Sequence, residues 1–133
     1  MNLLEFADKE YINLITFRKD NTPVPTPVWL SSLEDCLVIT TNLNAGKVKR
    51  IRNNGLATIY VTNQNGSEKL SEAIDVKASL IDNEEEKQLG IKSIQKKYGA
   101  MAKVFMRGPD EVRAIIKLEE KEMNIRMKNQ QCL

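Results

Sequence analysis

Apolar residues in this chain gather in short runs separated by polar turns, a spacing that predicts strands more than helices. Residues 3–8 can form one helical turn. The run over 11–19 (YINLITFRK) is apolar at nearly every position, as expected of a strand covered on both faces. Asp20-Asn21-Thr22 turns the chain into PVPTPVWLSS, with prolines at 23, 25 and 27. Proline brings no N–H to a ladder, so this spacing leaves every missing donor on one edge of the strand. That edge either lies exposed or faces a ligand, with Val28 and Trp29 at its end. Residues 31–35 turn the chain into a buried strand over 37–41, where Leu37-Val38-Ile39 gives way to Thr40 and Thr41. A polar turn over 42–46 leads to a short helix over 45–54.

In that helix Val48 and Ile51 form an apolar face, while Lys47 and Arg50, three apart, share another. Asn42 or Asn44 can cap its start, and Asn53-Asn54-Gly55 is a C-terminal cap signature. A strand follows over 56–62, and Asn65-Gly66 signals a hairpin turn. Over 72–81, Ile74, Val76, Ala78 and Leu80 alternate with Asp75, Lys77 and Ser79, again predicting a strand. Residues 83–98 predict the clearest helix. Asp82 or Asn83 caps it, Glu84, Glu85 and Glu86 fill its first turn, Lys96 and Lys97 its last, and Gly99 stops it. Ile91, Ile94 and Tyr98 form its buried stripe, and this structural account suffices without any chemistry. Residues 100–110 are undecided between states, with Gly108-Pro109 closing them. A last strand covers 112–118, and Met123, Ile125 and Met127 alternate as if it resumed after a turn or bulge at Glu119-Glu120. The tail from 128 reads as loose. Six or so strands with two or more flanking helices close naturally into a small, mostly antiparallel β-barrel, so the expected class is mainly β.

Composition narrows the function. The 133 residues fit one domain over 1–133, and the net charge of +2 points to no polyanionic partner. A small β-rich chain of this kind often buries leftover apolar surface in a dimer. Histidine is absent. That removes His-based triads, His-ligated haem and the usual His-based zinc and iron sites, so no metal is expected. Any chemistry must come from a bound group, or from Lys, Arg, Tyr, Ser/Thr and carboxylates. Cys36 and Cys132 show neither metal-ligand spacing nor a disulfide framework. The start of the chain is no signal peptide and no stretch approaches transmembrane length, so the expected compartment is the cytoplasm, with no membrane partner.

The informative stretch is 36–54. No acidic residue occurs from Cys36 through Ser67, whereas Lys47, Lys49, Arg50 and Arg52 all fall there. Threonine hydroxyls, free amides at a helix start and two cations on one face are what a phosphate-bearing ligand needs. The bland alternative is a solvated basic face. Nucleic-acid binding through KVKRIR would ordinarily bring a stronger basic excess and aromatic stacking positions, and neither is present. Trp29, Tyr11, Tyr60 and Tyr98 read as core side chains rather than proton donors. No residue stands out as a general acid or base, and the catalytic residues stay unassigned.

In order and spacing, YINLITFRKDNTPVPTPVWL followed by VITTNLNAGKVKRIRNNGLATIYV resembles the pyridoxamine 5′-phosphate oxidase-like, FMN-binding split-barrel superfamily. Within it, the chain looks most like the branch of deazaflavin (coenzyme F420)-dependent oxidoreductases. The resemblance covers 11–81 well and the rest by general layout. It implies a six-stranded antiparallel split barrel, a homodimer with a cofactor site at each of two subunit contacts, and hydride chemistry with FMN or coenzyme F420 on a small-molecule substrate. Carried over by position, Pro27, Val28 and Trp29 would flank the ring system, and Thr40, Thr41, Lys47 and Arg50 would hold the phosphate. A non-catalytic flavin-binding or sensing module of the same fold is the alternative. Ala45-Gly46-Lys47 departs from the Ser-Arg-Lys run of the vitamin-processing members, and the chain lacks the histidine used by them and by the haem-degrading ones.

Overall fold

A computed structural model of the protein describes residues 2–106 and 108–121. Seven strands are present among the described residues: β1 (Ile12–Phe17), β2 (Pro23–Val28), β3 (Ser31–Leu33), β4 (Cys36–Asn42), β5 (Leu56–Val61), β6 (Ile74–Leu80) and β7 (Arg113–Glu120). They form one antiparallel sheet in the order β2-β1-β5-β6-β7-β4-β3. Helices α1 (Gly46–Asn53), α2 (Glu84–Tyr98) and α3 (Ala100–Phe105) flank it. β2 and β3 stand at opposite ends of this order, yet only Trp29 and Leu30 separate them in the chain. A link that short spans at most about 10 Å. The sheet must therefore curl until its two edges nearly meet, which makes it a barrel split along a seam. The expected strand count of six becomes seven because the segment 23–33 breaks at Trp29-Leu30. Its second arm, read from sequence as a turn, pairs with β4 through Ser31, Ser32 and Leu33.

The barrel interior holds Ile12, Leu14, Leu37, Ile39, Ile59, Val76, Ile116 and Leu118, closed below by Leu3 and Phe6 of the N-terminal 3-10 turn. On the outer face Val38 of β4 and Ile115 of β7 pack with Ile81 and with Ile91 and Ile94 of α2. Burial on both sides explains why these two strands read as near-continuous apolar runs. β1 is less covered than expected, since Ile15 and Phe17 stay partly exposed. α2 starts and stops as the sequence predicts: Asn83 Oδ1 accepts from the Glu86 N–H, and Gly99 ends it at φ 60°. The undecided stretch contains α3. β7 runs straight through Glu119 and Glu120, which pair with Lys77 and Val76, so there is neither turn nor bulge. Met123, Ile125, Met127 and the tail from 128 lie outside the described residues. Gly66 does turn the chain, at φ +77°, but within a longer connection, 62–73, rather than a tight hairpin. Cys36 is buried at the start of β4, and Cys132 is outside the described residues.

The C-terminus of α2 fastens the seam. Lys97 Nζ donates to the carbonyls of Ala7 at 2.9 Å, Lys9 at 2.5 Å and Leu30 at 2.8 Å. The Tyr98 hydroxyl accepts from the Leu30 N–H at 3.1 Å and donates to the Glu10 carbonyl at 2.6 Å. Ser93 Oγ lies 2.6 Å from Ser31 Oγ and donates to the Ser32 carbonyl at 2.8 Å. N-terminal segment, seam and helix are thereby one unit. Burial brings the Lys97 ammonium down to about 8, against the pull of Asp8 and Glu10. Replacing Lys97 by Met removes this donor from the Ala7 and Lys9 carbonyls and leaves the Leu30 carbonyl only the Tyr98 hydroxyl at 3.1 Å. The variant is expected to lose about 1–3 kcal/mol of stability, read as a lower midpoint in thermal melts followed by circular dichroism; an unchanged midpoint would contradict the fastening role.

Candidate functional site

α1 begins without the cap its sequence promised. Its N-cap is Ala45, which makes no side-chain bond to the helix. Asn42 instead ties its own turn, with Oδ1 accepting from the Asn44 N–H at 3.0 Å. The first-turn amides of α1 are thus left uncapped by the N-cap side chain. Arg50 folds back over this start: a Cβ added at Gly46 would lie 2.7 Å from its Nη1, so glycine makes room for the guanidinium. From there Arg50 Nε donates to Thr16 Oγ1 on β1 at 2.6 Å.

Lys47 sits beside this guanidinium. Its ammonium is pushed below the ordinary lysine value, first by burial and then by the Arg50 charge. Arg50 is lowered by burial and then by Arg18 at the end of β1. Among the described residues no carboxylate enters either shift, so cations from α1 and β1 face one another there without compensation. The helix-start amides, Lys47, Arg50 and the Thr16 hydroxyl together form a cradle suited to a phosphate group. Sequence reasoning missed Thr16 and Arg18. The signal was a polar residue continuing the interior alternation Ile12, Leu14, Thr16, which only pays attention to α1 once the barrel is closed.

The structure treats the two threonines of the strand tip differently. Thr40 shares the face of Val38 and Ile115, and its Oγ1 accepts from Arg113 Nη1 at 3.1 Å. Thr41 lies opposite Ala114 and shares the interior face of Ile39. Successive strand residues diverge, so the two hydroxyls do not converge on one ligand atom. Among the described residues, no hydrogen bond joins either to Lys47 or Arg50. Within the predicted set the structure brings Lys47 and Arg50 together, with Thr16 as their hydroxyl.

Pro27, Val28 and Trp29 line a second feature, a pocket of about 260 Å³ shared with Tyr11 and Gln64. Val28 is buried, turned toward the barrel interior, while Trp29 is half-buried and stacks on Tyr98, with ring centroids 4.1 Å apart and planes 8° from parallel. β2 pairs with β1 along its whole length and, among the described residues, has no partner on its other side. The prolines must then turn their missing donors away from β1. An antiparallel residue sends its N–H and C=O the same way, so this free edge offers carbonyls without amide donors at 23, 25 and 27. The cradle and the pocket lie at opposite ends of β1, Thr16 and Tyr11 being about 16 Å apart along the strand.

The sequence model described as pyridoxamine 5′-phosphate oxidase matches residues 3–125. No curated protein matches the chain. Among solved structures, an F420 reductase aligns with a TM-score of 0.60 at 17% identity, over 92% of this chain and 95% of that one. A conserved hypothetical protein from Mycobacterium tuberculosis aligns at 0.69 and 15% identity, over 92% and 82%. A haem storage protein from Vibrio cholerae aligns at 0.68 and 12% identity, over 86% and 84%. At such identities the likeness concerns the fold.

An uncompensated cation pair predicts stabilisation by a free anion. At equal ionic strength, inorganic phosphate should raise the melting midpoint more than chloride does, because a ligand of the folded state alone stabilises it. The difference should vanish in Arg50→Ala; equal midpoints in the two salts for the unaltered protein would refute the cradle.

Proposed function

The chain belongs to the pyridoxamine 5′-phosphate oxidase family, and on that premise we propose that it binds a flavin-type cofactor, FMN, and works as an oxidoreductase on a small molecule. The observation that carries this reading is the uncompensated Lys47–Arg50 cradle standing one strand length from an aromatic-walled pocket. That spacing suits a cofactor with a charged group at one end and a flat ring at the other. Lys47, Arg50, the Thr16 hydroxyl and the α1 amides would hold the phosphate, with Arg18 beside them. Thr40 and Thr41 enter by resemblance alone, from the strand tip that leads into α1. Pro27, Val28 and Trp29 would flank the ring. When bound, such a cofactor supplies the hydride chemistry, while the protein supplies binding, orientation and exclusion of water.

The resemblance also supports a homodimer with its cofactor sites between subunits. Ile15, Phe17 and Leu56, partly or largely exposed on the outer side of β1 and β5, are apolar surface that such a contact would cover. Among the described residues, no helix is long and apolar enough to cross a membrane.

One observation favours coenzyme F420 as a second reading. A pocket of about 340 Å³ lined by Phe17, Arg18, Lys19, Asn21, Asn53 and Asn54 adjoins the cradle through Arg18. Its cations and amides would suit an acidic extension beyond the phosphate, which FMN lacks. Competition between the two cofactors decides between these readings.

Purified protein should show a visible flavin absorption band. The double variant Lys47→Ala, Arg50→Ala is expected to lose the bound cofactor while its far-UV circular dichroism stays unchanged; undiminished flavin content would sink the site. Turnover of a nicotinamide donor would then separate an oxidoreductase from a module that merely binds or senses flavin.

A further inference from the structure

The pocket lined by Tyr11, Pro27, Val28, Trp29 and Gln64 carries no charged side chain. Of these, only Gln64 presents a donor and an acceptor side by side. It is exposed, and among the described residues its side-chain amide makes no hydrogen bond. Gln64 belongs to the connection 62–73, whose first part is closed on itself. Thr62 Oγ1 donates to the Glu68 carbonyl at 2.6 Å, the Gly66 N–H to the Asn63 carbonyl at 3.1 Å, and Asn63 Nδ2 to Ser67 Oγ at 3.0 Å.

Asn13 ties this loop to β1. It stands between Pro27 of β2 and Tyr60 of β5 and is only 1% exposed. Its Nδ2 donates to the Gly66 carbonyl at 3.0 Å and to the Tyr60 hydroxyl at 2.9 Å. A carbonyl can only accept, so the Gly66 bond fixes which way the amide points. Among the described residues that orientation leaves Asn13 Oδ1 without a donor. A buried acceptor left unpaired costs stability, so the sheet alone would be better served by an aliphatic residue here. The loop also comes close. A Cβ added at Gly66 would lie 2.9 Å from Asn13 Oδ1 and 3.3 Å from the Pro27 ring. The Gly66 φ of +77° is one that glycine adopts without strain. Asn13, Gly66 and Pro27 thus meet at one contact, and Gln64 leaves it toward the pocket.

We propose that Asn13 is a positioning residue: by holding the Gly66 carbonyl it keeps Gln64 at the pocket, where the glutamine amide pairs with the imide edge of a flat ring, an N–H beside a carbonyl. This rests on the reading that a flavin-type ring occupies the pocket.

The test compares FMN with its N3-methyl derivative, in which a methyl group replaces the imide hydrogen and the phosphate is untouched. Each is titrated into the full-length protein and followed by flavin fluorescence, well below the melting midpoint. The unaltered protein should bind FMN about tenfold more tightly than the methylated ring, on the scale of one hydrogen bond. Gln64→Leu should lose that preference, and so should Asn13→Leu. Joining the two should lose nothing more, because the asparagine acts through the glutamine. A merely structural Asn13 would lower the midpoint of Asn13→Leu yet leave the preference intact, and that result overturns the proposal. A preference that survives Gln64→Leu overturns it as well. Equal affinity of the unaltered protein for both flavins overturns it while sparing the cofactor reading, and no binding of either removes both. Should Asn13→Leu not fold, Gly66→Ala pushes on the same contact from the loop side. The preference should again disappear, and its persistence there is equally fatal.

Discussion

The architecture depends on a short covalent tether. Trp29 and Leu30 connect strands at the two extremes of a seven-stranded order, so the sheet has no freedom to lie flat. Curling brings Leu14, Ile39, Ile59 and Leu118 to face one another and gives the chain an interior it could not otherwise assemble. It also leaves a line along which the backbone is joined without being laddered. At that line side chains must do what sheet hydrogen bonds do elsewhere.

The supply comes from α2. Lys97, Tyr98 and Ser93 reach main-chain atoms of Ala7, Glu10, Leu30 and Ser32, stitching together stretches far apart in sequence. Lysine suits this position because one ammonium can serve three carbonyls, a task no neutral side chain matches. The helix that had looked purely structural is therefore the element linking the core to the wall of the pocket. At the far end of β1, α1 plays the complementary part, turning Arg50 back over Gly46 toward Thr16. Fold and candidate site share β1 as their common axis.

Much of this was legible in the residues. Alternation located β6, two-sided apolar runs located β4 and β7, and Asn83 and Gly99 marked both ends of α2. The family resemblance supplied the barrel. What escaped sequence reading depended on contacts between distant segments. β3 looks like a turn because only its pairing with Leu37 and Val38 makes it a strand. Asn42 and Asn44 both have the chemistry of a cap, and the choice of Ala45 instead follows from the turn geometry. Thr40 and Thr41 are adjacent in sequence and so diverge in space, whereas Thr16, thirty-four positions from Arg50, meets it directly. Local chemistry pointed to Lys47 and Arg50 as a candidate anion site, and closure set the Thr16 hydroxyl beside Arg50.

The proline edge of β2 has a consequence for life in a crowded solution. An open seam would ordinarily invite a stranger's strand to zip onto it and seed a growing stack. Here every second position along that border lacks the hydrogen an incoming chain would need, so the barrel can stay unsealed without becoming sticky. The open border of β2 is thus guarded by the same three rings that forbid its closure.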